Sequence, residues 1–229
     1  MSNLSIPYLI KKYIFNIPTK NTKLKLKSDF LPLEFKKAYS VDYAKNYAWE
    51  NFGIKNFSAN KLADLNTINQ ICTKIFNITE GEAQFPPTVI LKKQKNHGRT
   101  IGTYGDNSIE LIEDNKFIST LIHEIAHYNH ELFSKNYIKM GKISEIKEDM
   151  LYPDYSIFEK FSKHSDLKLI RTHLGGYATS SPCEFVAEMF MNIVNEKKLP
   201  RQLFELYKEF EGPFYEKFLN HYTSNNLFI

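Results

Sequence analysis

The sequence holds only two cysteines, Cys72 and Cys183, in 229 residues. Two thiols make at most one bridge, which excludes a disulfide-framed fold. Both are expected as buried thiols. Arginine is nearly missing as well. Of 30 Lys and Arg residues, only Arg99, Arg171 and Arg201 are arginine. Nucleic-acid interfaces lean on arginine forks and dense basic stripes. Here lysines alternate with 26 acidic residues to leave a net charge of +4. That is the pattern of a solvated surface, so no nucleic-acid partner is expected. No run of about 18 apolar residues occurs, so no membrane insertion is expected. Residues 1–30 are interrupted by Lys11, Lys12, Lys20, Lys23, Lys25 and Lys27. They contain no unbroken apolar stretch ahead of a small-residue cleavage site, so no cleavable signal peptide is visible. A cytoplasmic protein and one exported by an injection machine both fit that reading. Internal repeats and low-complexity linkers are also lacking.

What is present suffices for one sizeable core, since 42% of the residues are hydrophobic. Residues 1–28 read as irregular or strand-like. Residues 32–52 and 59–77 read as amphipathic helices, the second with Ser58 as N-cap, and Trp49 is expected in the core. Pro86-Pro87 breaks the chain. Strands are expected at 88–93, 99–104 and 108–113, separated by the turn chemistry of His97-Gly98 and Gly105-Asp106-Asn107. A helix at 116–133 follows, then a mixed lysine-rich stretch at 134–153 and a helix near 154–164. Residues 165–180, with Gly175-Gly176, read as a loop. Helices are expected at 182–195, 200–210 and 213–222. The fold class is α+β, a small antiparallel or mixed sheet with a mainly helical C-terminal part. Three parts of one domain are expected: helical 1–80, sheet and helix 81–133, and helical 134–229.

Within the 116–133 helix, His123-Glu124-Ile125-Ala126-His127 is an H-E-x-x-H sequence. Histidines at i and i+4 lie one above the other, so both rings reach one ion. Glu124 sits beside that ion, in position to take a proton from an attacking water. Phe117, Ile118, Leu121, Ile122, Ile125, Ala126, Tyr128, Leu132 and Phe133 fill one half of the helix. His123, Glu124 and His127 fall on the other half with Thr120, His130 and Glu131.

Residues 182–195 are apolar almost all round, the signature of a buried helix. Glu184, Glu188 and Asn192 nevertheless form one polar edge at i, i+4, i+8. Buried carboxylates need a cation or strong donors, and a metal ion and a metal-bound histidine would supply both. Glu184 has a second reading: Ser181-Pro182-Cys183-Glu184 fits a capping box in which Glu184 bonds the Ser181 amide. Glu131 and Glu188 are further candidates for a third ligand. For Glu188 the better reading is a partner that orients a ligand histidine through its other ring nitrogen.

The segment from Tyr177 to Phe190, together with the upstream H-E-I-A-H, resembles the catalytic domains of the anthrax lethal factor family and the secreted bacterial Pro-Pro endopeptidases. Those carry a tyrosine seven residues before the ligand glutamate and a second glutamate four residues after it. Here these are Tyr177 and Glu188. The resemblance covers about 30 residues and implies a zincin-like fold of the gluzincin type. It implies one zinc ion on His123, His127 and Glu184, with Glu124 as general base and Tyr177 stabilising the oxyanion. A metalloendopeptidase acting on a protein or peptide substrate is the implied activity, in a bacterial toxin or effector. By analogy with zincins, the strand at 108–113 is expected to pair with an extended substrate. The oligomeric state is left open by the sequence.

Overall fold

Ser40 starts the first helix. Its backbone is extended (φ −141°, ψ 160°), and its hydroxyl accepts the Tyr43 N–H at 3.2 Å. That satisfies one of the main-chain donors a helix start leaves free. Helix α1, Val41–Phe52, ends on Gly53, whose φ of 71° is the left-handed cap a side chain would resist. The computed structural model describes residues 30–93, 102–105, 107–134 and 156–229. The chain divides into two units, Met1–Leu31 and Pro32–Ile229, and every element below belongs to the second. The expectation for residues 1–28 lies outside the described residues.

Helix α1 begins nine residues later than the pattern predicted. Residues 32–39 form no helix because two asparagines of α2, Leu62–Ile78, take their main chain. Asn66 accepts the Ala38 N–H at 2.7 Å and donates to the Ala38 carbonyl at 3.1 Å. Asn77 does the same to Leu33, at 2.7 and 2.9 Å. Ser58 does not cap α2. It ends a short strand, β1 (Asn56–Ser58), and the N-cap of α2 is Lys61. Trp49, expected in the core, is 38% exposed, with the Lys55 ammonium 5.4 Å from its ring centroid.

The sheet adds β2 (Thr88–Lys92), β3 (Gly102–Gly105) and β4 (Ser108–Ile112), in the order β1-β2-β4-β3. It is mixed. β1 and β4 both run parallel to β2, and only β3 and β4 are antiparallel. The parallel β1–β2 pair follows from the helix that joins them, α2 being a crossover that returns the chain in the same direction. Val89, Leu91, Ile109 and Leu111 alternate into the core. Strand β4 pairs on both sides, so its main chain is already used. The predicted substrate strand is therefore an interior strand, and among the described strands β1 and β3 lie at the edges.

Helix α3, Phe117–Phe133, follows the sheet. Beyond it come α4 (Ser156–Ser162), α5 (Leu167–Leu174), a 3₁₀ turn (Tyr177–Thr179), α6 (Pro182–Val194), α7 (Arg201–Glu209) and α8 (Tyr215–Ser224). The described part of the chain after the sheet is thus mainly helical, and the class is α+β. Most of the 134–153 stretch lies outside the described residues. The expected loop at 165–180 contains α5, because Ile170 and Leu174 at i, i+4 are buried and the glycine pair only ends the helix. No helix among the described residues is long and apolar enough to cross a membrane.

Candidate metal centre

One half of α3 packs as its periodicity requires: Leu121, Ile122, Ile125 and Ala126 are fully buried. The opposite half is not a solvent face. His123, Glu124, His127 and His130 are buried too, since α6 lies across them and completes a second wall. At the C-terminal end the expected polarity inverts. Leu132 and Phe133, placed on the packing half by the wheel, are 52% and 51% exposed.

Helix α6 starts on Ser181, whose hydroxyl accepts the Glu184 N–H at 3.2 Å, with Pro182 in the first turn. Only that half of the capping box is the arrangement at Glu184. Its carboxylate turns across to α3, where Oε2 lies 3.0 Å from His123 Nε2 and 3.4 Å from His127 Nε2. The two Nε2 atoms are 3.0 Å apart. Among the described residues these three side chains form the group of His, Cys, Asp or Glu donors close enough to share an ion, with donor atoms all within 4.8 Å.

The donor set fits a metal. Zinc bonds to nitrogen and oxygen of ~2.0–2.1 Å place the donor atoms of a tetrahedral site ~3.3 Å apart, and the three separations here bracket that value. Two imidazole nitrogens and a carboxylate oxygen converge on one buried point. Without a shared cation, such a cluster leaves lone pairs facing one another in a desolvated place. The N/O composition suits zinc among several divalent ions.

Glu188, one turn along α6, has Oε1 3.1 Å from His123 Nδ1. It touches the ring nitrogen that faces away from the cluster, so it fixes which nitrogen carries the proton and how the ring is turned. Glu131 is not with the group. Its exposed carboxylate accepts the Tyr104 hydroxyl at 2.6 Å. The geometry therefore groups Glu184 with the histidines, and neither Glu131 nor Glu188.

Electrostatics follow from this packing. For His123, burial opposes the charged form, but the Glu184 and Glu188 carboxylates outweigh it and lift the pKa to about 9. For Glu184, burial pushes up, and the hydrogen bonds from His123 and His127 pull it well below the usual carboxylate range. Burial raises Glu124, with the Glu184 charge adding to it, against the pull of His127 and His123.

Tyr177 stands on the 3₁₀ turn, 55% exposed, its ring centroid 5.8 Å from that of His123. Cys72 and Cys183 are both buried. Two residues that the pattern did not single out also shape the site. Asn129 exchanges hydrogen bonds with the Gln84 main chain at 2.9 Å each way, tying α3 to the segment that leads into β2. Tyr104 bridges β3 and α3. Neither shows in periodicity, because both act across the chain.

His130 is a buried core histidine, with Nε2 3.1 Å from the Phe210 carbonyl. Burial drives its pKa down to about 3. A histidine held neutral in the fold but free to charge near pH 6.5 when unfolded stabilises the protein above that pH. The stability is lost as pH falls from about 6.5 toward 3, by up to roughly 1.4 kcal/mol per unit. His130→Gln is expected to flatten this part of the stability–pH curve relative to wild type, read by urea denaturation at stepped pH. Parallel curves would mean that His130 titrates alike in both states.

Fold and site together define a chain with an α+β fold and a buried His-x3-His…Glu group that can hold a metal ion. No family model matches the chain, and no curated protein and no solved structure matches it.

Proposed function

We propose that the protein is a zinc-dependent endopeptidase of the gluzincin type, holding one ion on His123, His127 and Glu184. The observation that carries the reading is the convergence of these three buried donors beside Glu124, with Glu188 behind His123. A bound zinc ion supplies Lewis acidity, which makes water a competent nucleophile near neutral pH and polarises a carbonyl. The chain does the rest. Glu124 takes a proton from the attacking water as its oxygen adds to the peptide carbonyl carbon. The Tyr177 hydroxyl donates a hydrogen bond to the oxygen that gains negative charge. The C–N bond then breaks, and Glu124 hands its proton to the leaving nitrogen. Glu188 keeps the His123 Nε2 lone pair turned to the cluster. An extended peptide adds to the edge strand β3, which borders α3, since β4 has no main-chain groups to spare.

The test is cleavage of a mixed peptide library by the purified full chain, read by mass spectrometry. Cleavage that a chelator abolishes and added zinc restores supports the proposal. A protein that binds one zinc and cleaves nothing would be a zinc-binding adaptor module instead.

A further inference from the structure

What ends α5 also begins the turn that carries Tyr177. The Gly175 N–H closes α5 on the Arg171 carbonyl at 3.1 Å, and the chain then leaves with φ 96° and ψ 172°. That region of backbone space is essentially limited to glycine. Gly176 is back in the ordinary helical region, at φ −67° and ψ −29°. The turn is closed twice on the Gly176 carbonyl, by the Thr179 N–H at 3.1 Å and by the Thr179 hydroxyl at 2.7 Å. On one side of this arch Leu174 is buried, and the Lys197 ammonium donates to the His173 carbonyl at 2.7 Å. On the other side Ala178 is fully buried, and Ser181 then caps α6. Between these anchors Gly175, Gly176 and Tyr177 are exposed. The arch brings the Tyr177 ring to 5.8 Å from the His123 ring, tilted by 37°. A Cβ built on Gly175 or on Gly176 meets no atom within 4 Å. Space is open at both, and only the backbone angles tell them apart.

We propose that Gly175 is a positioning residue: its backbone turns the chain out of α5 so that Tyr177 stands over His123, and Thr179 holds that turn shut. The catalytic consequence rests on the peptidase reading. The placement of the ring does not. Tyr177 is exposed, so its place depends on where the main chain delivers it. An L side chain at residue 175 drives φ back to negative values, and the change falls two residues ahead of the tyrosine. A misplacement of about 1 Å in a reacting group lowers a rate by as much as ~100-fold. Outright loss of one donor to a developing oxyanion costs ~10²–10³-fold. Gly175→Ala is therefore expected to cost part of what Tyr177→Phe costs, and through the same hydroxyl.

The nuclear Overhauser contact between the Tyr177 and His123 ring protons tests the placement without any turnover. It is expected in wild type and in Gly176→Ala, and several-fold weaker in Gly175→Ala. Thr179→Val keeps both glycines and loses only the hydroxyl that closes the turn. It should weaken the contact and lower kcat, each by several-fold. With zinc bound, Gly175→Ala should lower kcat by ~10–100-fold while KM and zinc content stay within a factor of ~2. Gly176→Ala, at compatible angles, should change none of the three by more than ~2-fold. In a Tyr177→Phe background Gly175→Ala should cost less than ~2-fold, because the hydroxyl it misplaces is already gone. A contact absent from wild type, or equally strong in Gly175→Ala, overturns the placement, as does Gly176→Ala acting like Gly175→Ala. If Gly175→Ala does not fold, Thr179→Val decides by the same contact. A weakened contact with unchanged kcat, or a loss in Gly175→Ala that persists in full beside Tyr177→Phe, overturns the catalytic consequence. A zinc-loaded wild type that cleaves nothing strikes the peptidase reading alone and leaves the Overhauser contact to decide the placement.

Discussion

Glu184→Ala is expected to fold and to come out of dialysis against a weak chelator nearly free of zinc, where wild type keeps about one ion. The fold survives because the substitution spares what begins α6. Ser181 caps the helix through the Glu184 main-chain N–H, not its carboxylate, and Pro182 still fixes the first turn. The ion does not survive because one of only three protein donors is gone. Structural zinc sites bind with ~10–16 kcal/mol over four ligands, or ~2.5–4 kcal/mol each, so losing one lowers affinity by ~10²–10³. Glu188→Ala is expected to weaken binding less, by ~10–100-fold, because it removes only the acceptor behind His123 Nδ1. Elemental analysis of the three proteins, side by side, checks the order. If Glu188→Ala empties the site and Glu184→Ala does not, the third ligand is Glu188, and the proposed peptidase would be of another zincin branch. If both keep their zinc, the ion sits elsewhere.

That prediction was legible in the sequence for a physical reason that also marks where legibility ends. The two histidines are four residues apart on a strongly periodic helix, and a helix fixes their relation locally. Glu184 lies 61 residues from His123, and no periodicity joins them. A carboxylate on a helix apolar all round demands a cation, which makes Glu184 a candidate, and the resemblance of the Tyr177–Phe190 segment singles it out from Glu131 and Glu188. Elsewhere the same logic gave no purchase. Leu33, Phe35 and Ala38 carry a passable helical pattern. Their main chain is instead claimed by Asn66 and Asn77, whose side-chain amides imitate a neighbouring strand from 28 and 44 residues away. Ser58 has the chemistry of a cap but belongs to β1, whose reason for existing is its parallel register with β2. Tyr104 looked like any strand aromatic. Its reach to Glu131 needs the hairpin and α3 in place before it means anything. Local chemistry was readable, and so was a burial contradiction. Partnerships set by tertiary contact were not.

Glu124→Gln is expected to keep its zinc and lose cleavage, with kcat down by ~10²–10⁴, the range for a positioned acid–base group. The carboxylate stands outside the group formed by His123, His127 and Glu184, so the amide changes no donor to the ion. Gln has nearly the same shape and keeps one acceptor oxygen. What it lacks is the ability to take and return a proton. Stability gives an independent reading of opposite sign. Burial raises the Glu124 pKa above its unfolded value. An acid shifted upward favours the unfolded state once pH passes the ordinary carboxylate range, because the chain must hold a buried charge or an added proton. Removing the ionisable group lifts that penalty. The metal-free variant is therefore expected to melt higher than metal-free wild type at pH 7, and the gap should close as pH falls toward 4. An active site that loses function and gains stability through one isosteric change is a site strained for chemistry. Loss of zinc together with cleavage would place Glu124 among the ligands. Full activity would remove it from the reaction and return the proton transfer to another group.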